Sequence, residues 1–165
     1  MERDEEVKFR PVGIARTERS DDEIRESHQE SGSVIEIFPE FQEALQGLDG
    51  FSHIFVLAFL HRLRPDQIGP LKVRPRRLLR KGFNLEEIPE VGVFALDSPT
   101  RPNPIALSLM KLLRIEGGRI FVRGSDLFNG TPILDIKPYR GDYRVERYVL
   151  AGWYQKLRDK AGADI

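Results

Sequence analysis

Between Asp97 and Ser108 the chain reads Asp-Ser-Pro-Thr-Arg-Pro-Asn-Pro-Ile-Ala-Leu-Ser, with three prolines inside six residues. Each proline fixes its own φ at about −65° and turns the residue before it toward extended geometry. Ser98, Arg101 and Asn103 therefore sit on a rigid track. A solvated linker would continue in polar residues, but here the apolar stretch from Ile105 to Leu113 follows at once and ties the track to a core element. Stiffness of that kind suits a binding wall.

The remaining pattern is mainly that of strands. Lys8 to Arg16, with Phe9, Val12 and Ile14, reads as an opening strand, and the polar run from Thr17 to Gly32 as a mobile loop. Ser33 to Phe38 is β-branched, and Pro39 occupies a good first position for a short helix through Leu45. Phe51 to His61 is a continuous apolar run, the pattern of a strand buried on both faces. Leu85 to Ile88 reads as one helical turn and Val91 to Leu96 as a strand. Gly117-Gly118 is a hairpin turn joining strands at Ile105 to Glu116 and Arg119 to Gly124. Asn129-Gly130 is a second turn, leading into a strand from Pro132 to Ile136, and Tyr143 to Ala161 has the pattern of an amphipathic helix.

Six or seven strands with short helices predict a mainly β (α+β) fold, a barrel or strongly curved sheet. At 165 residues the expectation is a single domain over 1–165, with its core from about 9 to 139 and a C-terminal helix from about 143 to 161. No Gly-x-Gly-x-x-Gly follows a strand, so a doubly wound dinucleotide site is not expected.

Several chemistries drop out on composition. With no cysteine there is no thiolate nucleophile and no sulfur-ligated zinc. The three histidines, His28, His53 and His61, have no metal-ligand spacing, so no metal site is expected. No apolar run reaches the ~20 residues of a membrane span. The acidic, polar N-terminus lacks the pattern of a secretory signal, and the expected address is the cytoplasm. Formal net charge is zero, but it is unevenly spread: residues 1–50 carry 14 acidic and 6 basic side chains, whereas 61–83 carry 8 basic ones against Asp66 alone. Such asymmetry is the footprint of a polyanion site or of a basic loop paired with the acidic N-terminal part.

Three segments together carry a family resemblance. Leu48-Asp-Gly-Phe-Ser-His-Ile-Phe-Val-Leu57 with His61, Ser-Pro-Thr-Arg-Pro-Asn-Pro-Ile at 98–105, and Asn129-Gly-Thr-Pro-Ile-Leu-Asp-Ile-Lys-Pro-Tyr139 resemble the TsaA/TrmO-like family in sequence and in order. The resemblance implies a β-barrel methyltransferase that uses S-adenosylmethionine and acts as a homodimer. It further implies methylation of the exocyclic amine of threonylcarbamoyladenosine beside the tRNA anticodon. Cofactor contacts carried over from the family are His61, Arg62, Leu107 and the turn of Leu127, Phe128, Asn129, Gly130 and Thr131. Two positions depart from the family pattern: Asp97 stands where an Arg is usual, and Ala106 where a Gly is common. A carboxylate at 97 can accept hydrogen bonds from the cofactor's ribose diol or face its sulfonium.

The residue chemistry can be read beside the resemblance. A glycine turn brings backbone groups close to a ligand, Leu107 can cover a flat ring, and a strand-end histidine can present a ring nitrogen at a barrel mouth. Methyl transfer is an in-line displacement whose acceptor amine loses a proton. Asp135 and Tyr139, four apart on one strand face, are the candidate acceptors of that proton. Arg101 and Asn103 can face cofactor or RNA, and Arg74, Arg76 and Arg77 are candidate phosphate contacts. Two other readings stay open: a non-catalytic S-adenosylmethionine- or RNA-binding barrel, and a methyltransferase with a different acceptor.

Overall fold

A computed structural model describes residues 6–26 and 32–162. Its strands are β1 (Gly13–Arg16), β2 (Gly32–Ile37), β3 (His53–Phe59), β4 (Lys72–Val73), β5 (Val91–Gly92), β6 (Ile105–Glu116), β7 (Arg119–Arg123) and β8 (Pro132–Pro138). Its α-helices are α1 (Asp21–Glu26) and α2 (Gly152–Ala161). The chain divides into two compact units, one of Met1–Arg62 with Ile105–Arg140, the other of Leu63–Pro104 with Gly141–Ile165.

The first unit is a closed antiparallel barrel in the order β1-β2-β7-β6-β3-β8. Alternation along each strand sends Ile35 and Ile37, Ile54 and Val56, Met110, and Ile120 and Val122 inward to one apolar core. The β6–β7 hairpin turns on Gly117 and Gly118, at φ 53° and 77°, the double positive φ that a two-residue primed turn requires. The fold is thus the mainly β barrel expected, with few short helices.

Several elements differ from the sequence reading for identifiable reasons. β1 starts only at Gly13, because Pro11 has no N–H for a ladder; Val12 is the first residue to donate, to the Ile133 carbonyl at 2.8 Å. The run from Thr17 to Gly32 contains α1. The Ser20 hydroxyl accepts from the Glu23 N–H at 3.4 Å while the Glu23 carboxylate accepts from the Ser20 N–H at 2.8 Å, a reciprocal cap, and Ile24 is buried. The part of that loop at 27–31, with His28, lies outside the described residues. β3 is buried on one face only: Ile54, Val56 and Ala58 point inward, whereas Phe59 is 40% exposed on the outer wall.

The second unit pairs β4 with β5, Lys72 opposite Gly92 and Val73 opposite Val91. The strand expected from Val91 to Leu96 stops at Gly92 and becomes a 3-10 turn over Val93–Ala95, whose first amide donates to the Leu71 carbonyl at 3.0 Å. A small core of Leu78, Phe83, Ile88 and Leu157, with Trp153 against it, joins the basic segment to α2. Lys160 pairs with Glu87 within the same unit. Only Gly152–Ala161 of the expected 143–161 helix is α-helical. Tyr148 and Val149 stand 69% and 97% exposed and so give their segment no apolar face to bury.

Candidate functional site

In the barrel unit, antiparallel pairing of β3 with β8 sets the C-terminal end of β3 beside the start of β8, Ala58 opposite Ile133. That register brings His61 and Arg62, just past β3, to the turn that precedes β8. The turn is fastened from several sides. The Gly130 N–H donates to the Ala15 carbonyl at 2.9 Å, the Thr131 N–H to the Phe128 carbonyl at 3.1 Å, and the Thr17 N–H to Asn129 Oδ1 at 3.2 Å. Leu127 and Thr131 are buried at 2% exposure, so the backbone between them is what the turn offers.

Arg62 joins three elements at this point. One nitrogen donates to both Asp21 oxygens at 2.7 and 2.6 Å, and another to the Asn129 carbonyl at 2.8 Å. Its guanidinium carbon lies 5.4 Å from the centre of the Phe128 ring, and that of Arg25 lies 5.0 Å from the same ring. Gly130 has φ 85°, and a Cβ there would stand 3.9 Å from His61 Nε2, so the imidazole lies directly against a left-handed glycine. Partial burial, followed by the Arg62 charge, lowers the His61 pKa from its ordinary 6.5, against a smaller opposing pull from Asp21. A neutral imidazole keeps one nitrogen able to accept a hydrogen bond.

The outer wall of the barrel holds the next candidates. Leu107 of β6 pairs with Leu57 of β3, and Leu57 with Asp135 of β8, so the three form one row across adjacent strands. Leu107 is 67% exposed. Asp135 Oδ2 accepts from Lys137 at 2.7 Å, and its Oδ1 from the Ile136 N–H at 2.9 Å. Tyr139 shares that face but lies at the opposite end of β3 from His61. Its N–H donates to the His53 carbonyl at 2.9 Å, and its ring stands edge-on to Phe55.

In the second unit, Arg74, Arg76, Arg77 and Asp97 line one groove of about 820 Å³, with Ser98, Pro99 and Thr100 forming part of its wall. Arg74 already donates to the Ile88 carbonyl. Arg101 donates to the carbonyls of Val93 and Leu96 at 3.0 and 3.1 Å, so its guanidinium clamps the backbone from which the track departs. Asn103 is exposed. Sequence reasoning missed Asp21, which binds Arg62 from a distant segment, and Arg25, which lies over the Phe128 ring of the turn, and missed Asp126, whose Oδ1 accepts from the Ser108 hydroxyl at 2.6 Å. The Ser-x-x-Glu spacing at Ser20 was the one local signal for the helix that carries Asp21. Among the described residues no cluster of three or more His, Asp or Glu side chains could hold a metal ion, and no helix is long and apolar enough to cross a membrane.

Comparison with known proteins adds a family to this geometry. The family model described as the tRNA-methyltransferase O N-terminal domain matches residues 22–143. A probable S-adenosyl-L-methionine-binding protein of Methanothermobacter thermautotrophicus is 42% identical over 143 residues, covering 84% of this chain and 94% of that protein. The mouse tRNA (adenine(37)-N6)-methyltransferase is 39% identical over 129 residues, covering 78% of this chain but 28% of that protein. Among solved structures, one of TrmO aligns with TM-score 0.66 at 31% identity over 88% of this chain, and one of TrmO from Pseudomonas aeruginosa with 0.65 at 28% over 90%. The chain spans 64% and 62% of those two solved chains.

Proposed function

The chain belongs to the tRNA-methyltransferase O N-terminal domain family, and from that premise we propose that it is an S-adenosylmethionine-dependent methyltransferase acting on the exocyclic amine of threonylcarbamoyladenosine beside the tRNA anticodon. The observation that carries the proposal is the meeting of His61, Arg62 and the Asn129-Gly130 turn at one end of β3. When bound, S-adenosylmethionine supplies an electrophilic methyl group on a sulfonium. The residues present suit such a ligand: a half-buried glycine whose missing Cβ permits close approach, an imidazole whose pKa is lowered, and apolar surface at Leu107 and Phe128. The lowered pKa of His61 would suit a cationic cofactor, because a second positive charge near a bound sulfonium would repel it.

In this reading, Arg62 holds the turn rigid rather than moving a proton, and Asp135 is the carboxylate that takes the proton from the acceptor amine. Asp135 shares a row with Leu107. Tyr139, at the far end of the strand, is the less suited of the two candidates. Arg76 and Arg77 supply the charge that attracts the anticodon stem. The homodimer implied by the family has support in the outer wall, where Phe59, Leu107, Leu109 and Leu113 are each at least 40% exposed.

The experiment is methyl incorporation from S-adenosylmethionine into tRNA with and without the threonylcarbamoyl group. Incorporation only into the modified tRNA is the expected result. Equal incorporation into both would redirect the acceptor, and none into either, with cofactor bound, would favour the binding-module reading. Asp135→Asn should lower turnover by more than tenfold with cofactor affinity retained.

A further inference from the structure

We propose that Asp97 reads a neutral hydrogen-bond donor of the RNA, a ribose 2′-hydroxyl or an exocyclic base amine, from within the groove that Arg76 and Arg77 share. The groove lies wholly in the second unit. It presents three guanidinium-bearing residues with Asp97, Asp66 and Glu90. Asp66 is tied to Arg64, two bonds of 3.1 Å each. Among the described residues the side chains of Arg76, Arg77 and Asp97 have no hydrogen bond or ion pair, so all three are available to a ligand.

A carboxylate in a groove for a polyanion is unfavourable unless it gains something specific, since phosphates within a Debye length of about 8 Å repel it. Carboxylates recognise what guanidinium groups cannot: hydrogen-bond donors such as base amines and sugar hydroxyls. The mounting of Asp97 suits recognition. Arg101 holds the carbonyl of Leu96, the residue immediately before it. On the other side Pro99 fixes the backbone, and the Thr100 N–H donates to the Ser98 hydroxyl at 3.3 Å. The backbone that carries the carboxylate is therefore fixed before any ligand arrives, and only the side-chain rotamer is left for binding to order. Glu90 lines the same groove on a longer side chain with one more rotatable bond to order.

This role rests on the tRNA reading, and the sign of a charge removal separates the two. Binding of an anticodon stem-loop transcript is measured by fluorescence anisotropy over a range of salt for the full chain and for Asp97→Asn, Glu90→Gln and Arg76→Ala/Arg77→Ala. Simple repulsion predicts that removing either carboxylate tightens binding. A reading role predicts tighter binding for Glu90→Gln but roughly tenfold weaker binding for Asp97→Asn, the scale of one charge-assisted hydrogen bond. Unchanged or tighter binding by Asp97→Asn, or equal weakening in both variants, overturns the assignment while leaving the tRNA reading intact if the double arginine variant still loses affinity. A wild-type chain that does not bind the stem-loop overturns both. With the all-deoxy stem-loop, loss of the Asp97 effect identifies the 2′-hydroxyl as the donor, and its persistence identifies a base amine.

Discussion

Arg62 is fully committed within the barrel unit, to Asp21, to the Asn129 carbonyl and to the face of Phe128. Its neighbour His61 is the titrating group of the pair, and its pH behaviour follows from the direction of its shift. Because the folded pKa lies below 6.5, the unfolded chain takes up the proton first as pH falls, and the folded form loses stability on the acid side only. Cofactor binding should be flat through neutrality and weaken only as pH falls through the lowered pKa of His61, below its ordinary 6.5. Calorimetry with S-adenosylmethionine across pH 5 to 8 checks this, and His61→Asn should abolish the acid limb. An acid limb that persists in that variant would assign it to another group. At this scale the sequence named His61, Arg62 and Asn129-Gly130 through the family resemblance of their motifs, and the fold brings them together. It could not disclose Asp21, 41 residues before Arg62, because the pairing is made by the closed barrel rather than by any local spacing.

Among the elements, α1 shows how a polar run conceals structure. It has six residues and a single buried side chain, Ile24, so its reciprocal Ser20–Glu23 cap carries much of its order. Ser20→Ala should loosen it by ~1 kcal/mol, read as faster hydrogen exchange at amides 23–26. Since α1 carries Asp21, which holds Arg62, and Arg25, which lies over Phe128, the same variant should weaken cofactor binding; unchanged affinity would show that the turn keeps its shape without them. The β6–β7 hairpin was legible because two adjacent glycines permit few alternatives. The C-terminal helix was read too long for the opposite reason. Tyr148, Leu150, Trp153 and Leu157 suggested one continuous face, but only Trp153 and Leu157 lie on α2 and Tyr148 is exposed, because periodicity carries no information about whether a partner surface exists.

For the molecule as a whole, the uneven charge along the sequence corresponds to a division of the chain. The barrel unit contains the acidic first segment, and the second unit contains nearly all of the basic stretch from 62 to 81. The proposed homodimer, if built on the exposed leucines of β6, predicts that sedimentation reports a dimer for the wild-type chain and a shift to monomer for Leu109→Lys. A wild-type monomer at micromolar concentration would remove the homodimer from the proposal. Closure of the barrel has one more consequence. Phe59 and Ile105 are paired neighbours on β3 and β6, so the excursion from Leu63 to Pro104 leaves and re-enters the wall at nearly the same place. Closing a loop costs only about 0.6 kcal/mol for each doubling of its length. The stretch bearing Arg76, Arg77 and Asp97 is therefore free to lengthen, shorten and diverge over evolutionary time at little expense to the strands that anchor it.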